Sequence, residues 1–314
     1  MTSPAQSWQL VSPPPQAIAD LAATLAISPL LARLLLNRGL TTPEAARSFL
    51  DPQLAALPDS DLMAGSQRAA ERLAEAVISG QKIWIYGDYD VDGVTSSALL
   101  FRFLGQLGVR AEVFLPDRFA DGYGLNGERL AEICAKGAEL IIAADCGTRA
   151  VAEVAEVQRL GVDLMVCDHH APGETLPPAY ALMSPHAPDS AWPDAFPSAV
   201  GVALLLAQAT RRALHKRGWF DQRSAPNLGE LLQYAALGTI ADMVPLRGFN
   251  RIVSAHGLRL LGRSRLPGIV AMKARANLRQ VASADHVGFV LGPRINAAGR
   301  VADELRRTHE IVLE

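Results

Sequence analysis

The sequence has few cysteines, few aromatic residues and no long apolar run. Its three cysteines, Cys134, Cys146 and Cys167, are odd in number and show no Cys-x-x-Cys spacing, which argues against a disulfide framework and a structural zinc site. No stretch of about 18 consecutive apolar residues occurs, so no membrane span is expected. The first residues lack the basic start and apolar core of a signal peptide. These absences predict a cytoplasmic protein with reduced cysteines and no membrane partner.

The charge of the chain is nearly balanced but unevenly distributed. The 314 residues carry a formal net charge of −2, so the chain-wide basic excess typical of many nucleic-acid-binding proteins is absent. Acidic residues are missing between Asp242 and Asp285. The basic residues in this interval are Arg247, Arg251, Arg259, Arg263, Arg265, Lys273, Arg275 and Arg279. The interval is either a solvated basic face or a surface for phosphate groups, and the sequence leaves both interpretations open.

Short apolar runs alternate with helical patterns in the middle of the chain. The runs KIWIY, AEVFL, ELIIAA and VDLMVC indicate buried strands, and the segments between them have apolar residues at helical spacing. This alternation predicts an α/β fold with a parallel, doubly wound sheet. Helices are expected before the sheet, with Thr42 as an N-cap, and a mostly helical part is expected beyond about residue 190.

Three of the four predicted strands are followed by carboxylate or histidine side chains. These residues are Asp88, Asp90 and Asp92 after the first strand, Asp145 after the third, and Asp168, His169 and His170 after the fourth. The carboxyl ends of parallel strands share one edge of a sheet, so the side chains should converge in one crevice. A single aspartate after a strand is commonly a helix N-cap. Crowded carboxylates, however, raise each other's pKa unless a cation lies between them.

The residue types indicate which cation and which chemistry to expect. Histidine beside carboxylates favours Mn²⁺, Zn²⁺ or Fe²⁺, whereas Ca²⁺ and Mg²⁺ prefer oxygen ligands. Several carboxylates together suit a two-metal site that acts on a phosphoryl group. Asp242, in the apolar stretch LGTIADMVPL, is a further candidate ligand because a carboxylate there needs a partner. It could equally be a helix-terminal residue bonded to backbone amides.

Two other motif matches are rejected. DYDVDG matches the opening of a calcium-binding EF-hand loop, but Leu99 stands where that loop needs a bidentate glutamate. GYGLNG matches a dinucleotide-binding fingerprint, but it begins seven residues after the run AEVFL instead of in a tight strand-to-helix turn. We interpret GYGLNG as a glycine-rich loop near the phosphate-binding side of the site.

Four motifs occur in the order of the four motifs of the DHH phosphoesterases: DYDVDG, ADCGT, DHH and GTIADMVPL. The sequence is therefore identified as a member of that family. Further stretches, including LPDRFADGYGLN, CDHHAPGETLP and GPRINAAGR, resemble the family's bacterial exonucleases, which degrade single-stranded DNA from its 5′ end. The resemblance runs from roughly residue 27 to residue 300. It implies a centre of two Mn²⁺ or Mg²⁺ ions whose ligands are Asp90, Asp92, Asp145, His169 and Asp242, with Asp88 as a further candidate. It implies that His170 faces the scissile phosphate. Arg118 is then expected at the terminal phosphate, and Arg294 and Asn296 at the DNA backbone.

The resemblance also implies a division of the chain. We expect an N-terminal helical extension (1–60), a DHH phosphoesterase domain (61–250) and a helical, basic segment (251–314) that closes this domain and ends before the DHHA1 lobe of the relatives. Metal-dependent 5′-to-3′ hydrolysis of single-stranded DNA is then expected to be impaired unless a partner chain supplies that lobe. The alternatives are a phosphodiesterase for short oligonucleotides or cyclic dinucleotides, a pyrophosphatase, and a non-catalytic binding module. The intact motif set favours an enzyme.

Overall fold

The computed structural model describes residues 11–193, 197–279 and 283–298. The chain divides into two compact units, one up to Ala56 and one from Leu57 onward. Each unit has a hydrophobic core of its own. The end of the expected segment 251–314, from residue 299, lies outside the described residues.

The first unit consists of short helices that begin with proline. They are α1 (Pro15–Leu25), α2 (Pro29–Asn37) and α3 (Pro43–Leu50), followed by a 3-10 turn (Leu54–Ala56). Proline is tolerated at the first helical position because the N–H group it lacks would have no partner within the helix. Thr42 caps α3, since its hydroxyl accepts the N–H of Ala45 at 3.2 Å. The predicted N-cap is therefore confirmed.

In the described part of the chain, no single helix is long and apolar enough to cross a membrane. Among the described helices, only α1 and α2 taken together pass that test of length and composition, and the chain bends by 113° between them.

The second unit is built on a parallel sheet. Its strands are β1 (Ile83–Tyr86), β2 (Glu112–Phe114), β3 (Leu140–Ala144), β4 (Asp163–Cys167) and β5 (Ala181–Met183). They lie in the order β2-β1-β3-β4-β5, and every pairing is parallel. The predicted doubly wound α/β fold is confirmed. The sequence indicated four of these strands and missed β5, because a three-residue edge strand is too short to produce an apolar run.

Helices cover both faces of the sheet. They are α4 (Ser66–Ser79), α5 (Val91–Gln106), α6 (Gly127–Ala135), α7 (Val151–Arg159), α8 (Ala199–Lys216) and α9 (Leu228–Ala241). Successive side chains of a strand point to opposite faces of the sheet. Ile83 and Ile85 therefore join the core covered by α4, α5, α8 and α9, whereas Trp84 and Tyr86 join the core beneath α6 and α7. Both faces of the strands are buried, which is why these strands appear as continuous apolar runs.

The part of the chain after α9 is helical. It contains a 15-residue helix, α10 (Gly248–Gly262), then α11 (Pro267–Arg275), α12 (Ala284–His286), a π-helical turn (Val287–Leu291) and α13 (Gly292–Ala298). Within the basic interval, Lys273 donates to the carbonyl oxygens of Leu261 and Gly262 at 3.1 and 2.9 Å, and so caps the end of α10. Arg259 and Arg263 are exposed. Lys273 therefore has a structural role, and both interpretations of the exposed arginines stay open.

Candidate metal centre

The predicted site residues converge at one edge of the sheet. The chain order reverses at β1, which lies between β2 and β3, and ligands of open α/β sheets bind at such a point. The imidazole of His169 lies near the middle of the cluster. Its Nε2 atom is 3.5 Å from Asp145 Oδ1, 3.7 Å from Asp242 Oδ2 and 3.9 Å from Asp92 Oδ2. The sheet thus joins side chains from three strand ends and from the end of α9.

The potential ligand atoms form three overlapping groups, in each of which the atoms lie within 4.8 Å of one another. The groups are Asp88, Asp90 and Asp145; Asp92, His169 and Asp242; and Asp145, His169 and His170. Asp145 and His169 each belong to two groups. Shared ligands of this kind are what two divalent cations about 3.5–4 Å apart require.

Burial and mutual repulsion raise the pKa of the clustered carboxyl groups. The pKa of Asp88 rises from 3.8 to about 7, mainly because burial disfavours its charge, and repulsion from Asp90 adds to the effect. Burial and Asp90 likewise raise the pKa of Asp242 to about 6. The pKa values of Asp92 and Asp145 lie well above the usual range, with burial again the main cause. The predicted repulsion between carboxylates is therefore present in the cluster.

The donor atoms fit divalent cations. Asp88 Oδ1, Asp145 Oδ1, His169 Nε2 and Asp242 Oδ2 are all buried, and none has a hydrogen-bond partner among the described residues. An unpaired buried polar atom costs about 1–3 kcal/mol, so four of them at one place need a common partner. Burial also lowers the pKa of His169 to about 4, which leaves the imidazole neutral and able to ligate a metal. A cation would satisfy all four atoms together.

Asp242 sits where a carboxylate is otherwise unfavourable. It is the C-cap residue of α9, where the helix dipole presents its negative end. The alternative reading, a carboxylate bonded to backbone amides, does not fit its Oδ2 atom, which is buried without a partner in the described structure. A neighbouring cation would offset both the repulsion and the burial.

Two aspartates of the motif DYDVDG are held by hydrogen bonds at the N-termini of two helices. The carboxylate of Asp90 caps α5 by accepting the N–H groups of Asp92 and Gly93 at 2.9 and 3.1 Å. Asp92 lies in the first turn of α5, and its oxygens accept the N–H groups of Ala199 and Val200, at 2.6 and 3.0 Å, where α8 begins. This contact turns Asp92 toward the positive end of α8. The motif therefore ties the site to the packing of α5 against α8.

Gly93, the glycine of DYDVDG, is required for a steric reason that is unrelated to calcium binding. A Cβ atom on Gly93 would lie 2.5 Å from the backbone nitrogen of Asp88 and 2.6 Å from its carbonyl oxygen. Only glycine lets α5 begin so close to the Asp88 backbone. At Asp145 the backbone is left-handed, with φ of 66°, although the residue is not glycine. Such conformations cost energy and are concentrated at functional sites.

Asp168 positions His170, and this role was missed at the sequence level. Asp168 Oδ1 accepts hydrogen bonds from Nδ1 of His170 at 2.7 Å and from its backbone N–H at 3.1 Å, while Oδ2 accepts the N–H of Thr148 at 3.0 Å. Burial would raise the pKa of Asp168, but the hydrogen bonds from His170 and Thr148 hold it well below its usual range. The bond to Asp168 in turn raises the pKa of His170. In the sequence, the position of Asp168 next to two histidines was the signal that could have indicated this role.

The remaining predicted residues are Arg118, Arg294 and Asn296, and the structure shows a contact for each. The guanidinium of Arg118 lies over the Tyr89 ring, 5.5 Å from its centre. Arg294 is exposed, and its Nη1 atom donates to the carbonyl of Val290 at 2.7 Å. Asn296 accepts the N–H of Val91 at 3.1 Å and therefore holds the start of α5. Contacts of these side chains with a substrate remain predictions.

The fold and the site together define a class: a parallel α/β protein whose carboxylate–histidine centre is suited to divalent cations at a topological switch point. The DHH family, N-terminal domain, matches residues 82–239, which is half of the chain. The chain therefore belongs to the DHH family.

Several relatives are similar over most of the chain. The single-stranded-DNA-specific exonuclease RecJ of Dickeya dadantii is 44% identical and aligns with 87% of this chain and 48% of its own length. RecJ of Bacillus subtilis is 38% identical and aligns with 98% and 38%, respectively. The crystal structure of Thermus thermophilus RecJ in complex with Mn²⁺ superposes with a TM-score of 0.79 at 33% identity, covering 97% of this chain and 42% of that one. The chain spans about half the length of the curated relatives it matches, or less.

Proposed function

We propose that this protein is a metal-dependent phosphodiesterase that hydrolyses single-stranded DNA from the 5′ end and releases mononucleotides. The observation that carries the proposal is the set of four unpaired buried donor atoms, from Asp88, Asp145, His169 and Asp242, at the carboxyl edge of the sheet. The likeness to RecJ exonucleases over nearly the whole chain supports the choice of substrate.

The residues divide into two ligand sets. Asp88, Asp90 and Asp145 would hold one ion, and Asp92, His169 and Asp242 would hold the other. Bound divalent cations supply activation of water and stabilisation of negative charge on a phosphoryl group. Mn²⁺ suits the mixed oxygen and nitrogen donors, and both Mn²⁺ and Mg²⁺ occur in solved RecJ structures. We propose either ion as the cofactor.

His170 is suited to act on the phosphate. The bond to Asp168 fixes its ring and raises its pKa, which favours the protonated imidazole whose Nε2 could donate to a phosphate oxygen. Nε2 is 3.2 Å from the hydroxyl of Tyr123, on the open side of the site. Arg118 and Arg294 are proposed to hold the terminal phosphate and the backbone, because a guanidinium binds phosphate oxygens in pairs.

The second candidate is a phosphodiesterase of short oligonucleotides or cyclic dinucleotides. One observation favours it: the cleft beside His170 has a volume of about 510 Å³, which is the size of a small-molecule pocket and not of a long groove.

The test is Mn²⁺-dependent hydrolysis of a long 5′-phosphorylated single strand beside a dinucleotide. Asp90→Asn/Asp92→Asn removes charge from the proposed ligands, and Asp189→Asn/Asp221→Asn makes the same change at exposed positions outside the cluster. Release of mononucleotides from the long strand by wild type and control, but not by the ligand variant, is expected. Cleavage of the dinucleotide alone would select the second candidate. Binding of Mn²⁺ without hydrolysis of either substrate would refute the catalytic proposal.

A further inference from the structure

A chain of ring contacts joins Arg118 to His170. The guanidinium of Arg118 lies over the Tyr89 ring, 5.5 Å from its centre. The rings of Tyr89 and Tyr123 meet edge to face with their centres 6.3 Å apart, and the rings of Tyr123 and His170 do the same at 6.3 Å. These distances lie within the ranges of cation–π contacts and aromatic pairs, which are up to about 6 Å and about 4.5–7 Å. Tyr89 therefore links the arginine proposed for the terminal phosphate to a histidine of the site.

The backbone of Tyr89 is fixed by the motif DYDVDG. Tyr89 stands between Asp88 and Asp90 in the chain, and its side chain is partly buried. Asp90 is itself held at the start of α5, because its carboxylate accepts the N–H groups of Asp92 and Gly93. A shift of Tyr89 would displace the two proposed ligands on either side of it. The ring is therefore held at a defined place relative to the metal centre.

The side chain of Arg118 has little besides Tyr89 to hold it. Asp117 accepts the N–H groups of Phe119 and Ala120 at 2.7 and 3.1 Å, which fixes the backbone of this loop. The guanidinium of Arg118 is exposed, and among the described residues it has no hydrogen bond and no ion pair. A free arginine side chain loses rotamer entropy when a ligand fixes it. Contact with the Tyr89 ring restricts Arg118 beforehand, and the guanidinium can still offer its planar fork of N–H donors to phosphate oxygens.

Tyr89 is thus placed to act, through Arg118, on one feature of the substrate. A strand that ends in a 5′-phosphate offers Arg118 a charged group, whereas a strand that ends in a 5′-hydroxyl offers none at that point. We propose that Tyr89 is a positioning residue for the choice of strand end, because its ring holds Arg118 in place and thereby sets the preference for a 5′-phosphate. The proposal rests on the proposed function and on the role proposed there for Arg118. A ring that only supported the fold would affect both kinds of strand equally.

The test is hydrolysis in Mn²⁺ of one single-stranded sequence that carries either a 5′-phosphate or a 5′-hydroxyl. The preference is the ratio of the two kcat/KM values. Tyr89→Leu is expected to lower this preference about three- to tenfold, which corresponds to about 0.7–1.4 kcal/mol, because the cation–π contact is lost. The loss should appear with the phosphorylated strand, while hydrolysis of the hydroxyl strand stays nearly unchanged. Tyr89→Phe keeps the ring and should keep most of the preference.

Two further comparisons separate positioning from a general loss of structure. Arg118→Gln should remove most of the preference, and adding Tyr89→Leu to it should remove no more, because Tyr89 acts through Arg118. Tyr180→Leu is the matched control: Arg68 lies over the Tyr180 ring, 4.7 Å from its centre, and Tyr180 precedes β5, at the amino edge of the sheet and away from the metal centre. This variant should leave the preference unchanged. Where Tyr89→Leu is unstable, Tyr89→Met, which keeps a long apolar side chain without the ring, replaces it.

Two results would overturn the proposal: a wild type that does not prefer the 5′-phosphate, or a preference that survives Tyr89→Leu, even if both strands are then cut more slowly. Where neither strand is cut by the wild type, binding of the two strands in EDTA, measured by fluorescence anisotropy, reports the preference without turnover. A protein that binds with a preference dependent on Tyr89 but cuts neither strand would contradict the proposed function alone. A protein that cuts DNA with a preference independent of Tyr89 would contradict the positioning role alone.

Discussion

Removal of divalent cations is expected to make the stability of the second unit depend on pH. Asp88 is buried, and its pKa rises from 3.8 to about 7 chiefly because burial disfavours its charge. Between these pH values the metal-free folded protein binds a proton that the unfolded chain does not bind. The contribution of Asp88 to the free energy of unfolding is therefore greatest at pH values below 3.8 and falls as pH rises to about 7.

The size of this effect follows from the distance between the two pKa values. A rise from 3.8 to about 7 corresponds to about 4 kcal/mol for a single group. This figure is an upper limit, because the neighbouring carboxyl groups titrate together with Asp88 and water enters the site as they ionise. A metal ion at a free concentration of about 100 times its dissociation constant raises the free energy of unfolding by about 2.7 kcal/mol. Protons compete with the metal for the same oxygens, so this increase should be smaller at low pH.

The assay is urea unfolding followed by circular dichroism, in EDTA and in Mn²⁺, between about pH 5 and about pH 7.5. In EDTA the free energy of unfolding should fall across this range, and in Mn²⁺ it should stay nearly constant. Asp88→Asn removes the charge at similar volume and should flatten much of the EDTA curve. Asp189→Asn is exposed and should leave the curve unchanged. An EDTA curve that is flat or rises with pH, or an Mn²⁺ effect of equal size at both ends of the range, would contradict a metal-dependent burial of carboxyl groups at this site.

Two substitutions test how the site is positioned. Asp168→Asn should lower hydrolysis about 10- to 100-fold while Mn²⁺ still binds, because the ring of His170 loses its charged partner; a variant with wild-type turnover would contradict that role. Gly238→Ala should weaken Mn²⁺ binding and cost about 1–3 kcal/mol, because the added Cβ would lie 2.6 Å from Oδ1 of Asp92. Gly105→Ala is the matched control within α5: its Cβ meets nothing within 4 Å, and it should stabilise the protein by up to about 1 kcal/mol. Equal Mn²⁺ affinity and stability in both glycine variants would be the contrary result.

Much of the fold could be predicted because its signals are local. The runs KIWIY and ELIIAA contain β1 and β3, since strands of a doubly wound sheet are buried on both faces and therefore apolar throughout. Thr42 before Pro43 specified a helix start in the same way. The edge strand β5 pairs through only three residues with β4 and carries no comparable pattern.

The convergence of the carboxylate and histidine side chains could also be predicted, because a parallel sheet gathers its carboxyl strand ends. The contacts within the site could not. The bonds from Asp92 to the start of α8 and from Thr148 to Asp168 join residues that are distant in the chain, and they depend on how helices pack against the sheet. For the same reason no pattern in the sequence indicated that Arg149 and His170 line one cleft. Packing of this kind leaves no periodic trace in a single sequence.

The central claim is that one cluster of side chains holds two divalent cations as a pair. Titration of the metal-free protein with Mn²⁺, followed by electron paramagnetic resonance, tests it most directly. Two bound ions per chain with coupled spins are expected, because the ions of such a pair lie about 3.5–4 Å apart. Asp145→Asn should remove the coupling, because Asp145 belongs to two of the ligand groups. A single uncoupled ion, or coupling that survives Asp145→Asn, would contradict a paired centre that shares Asp145.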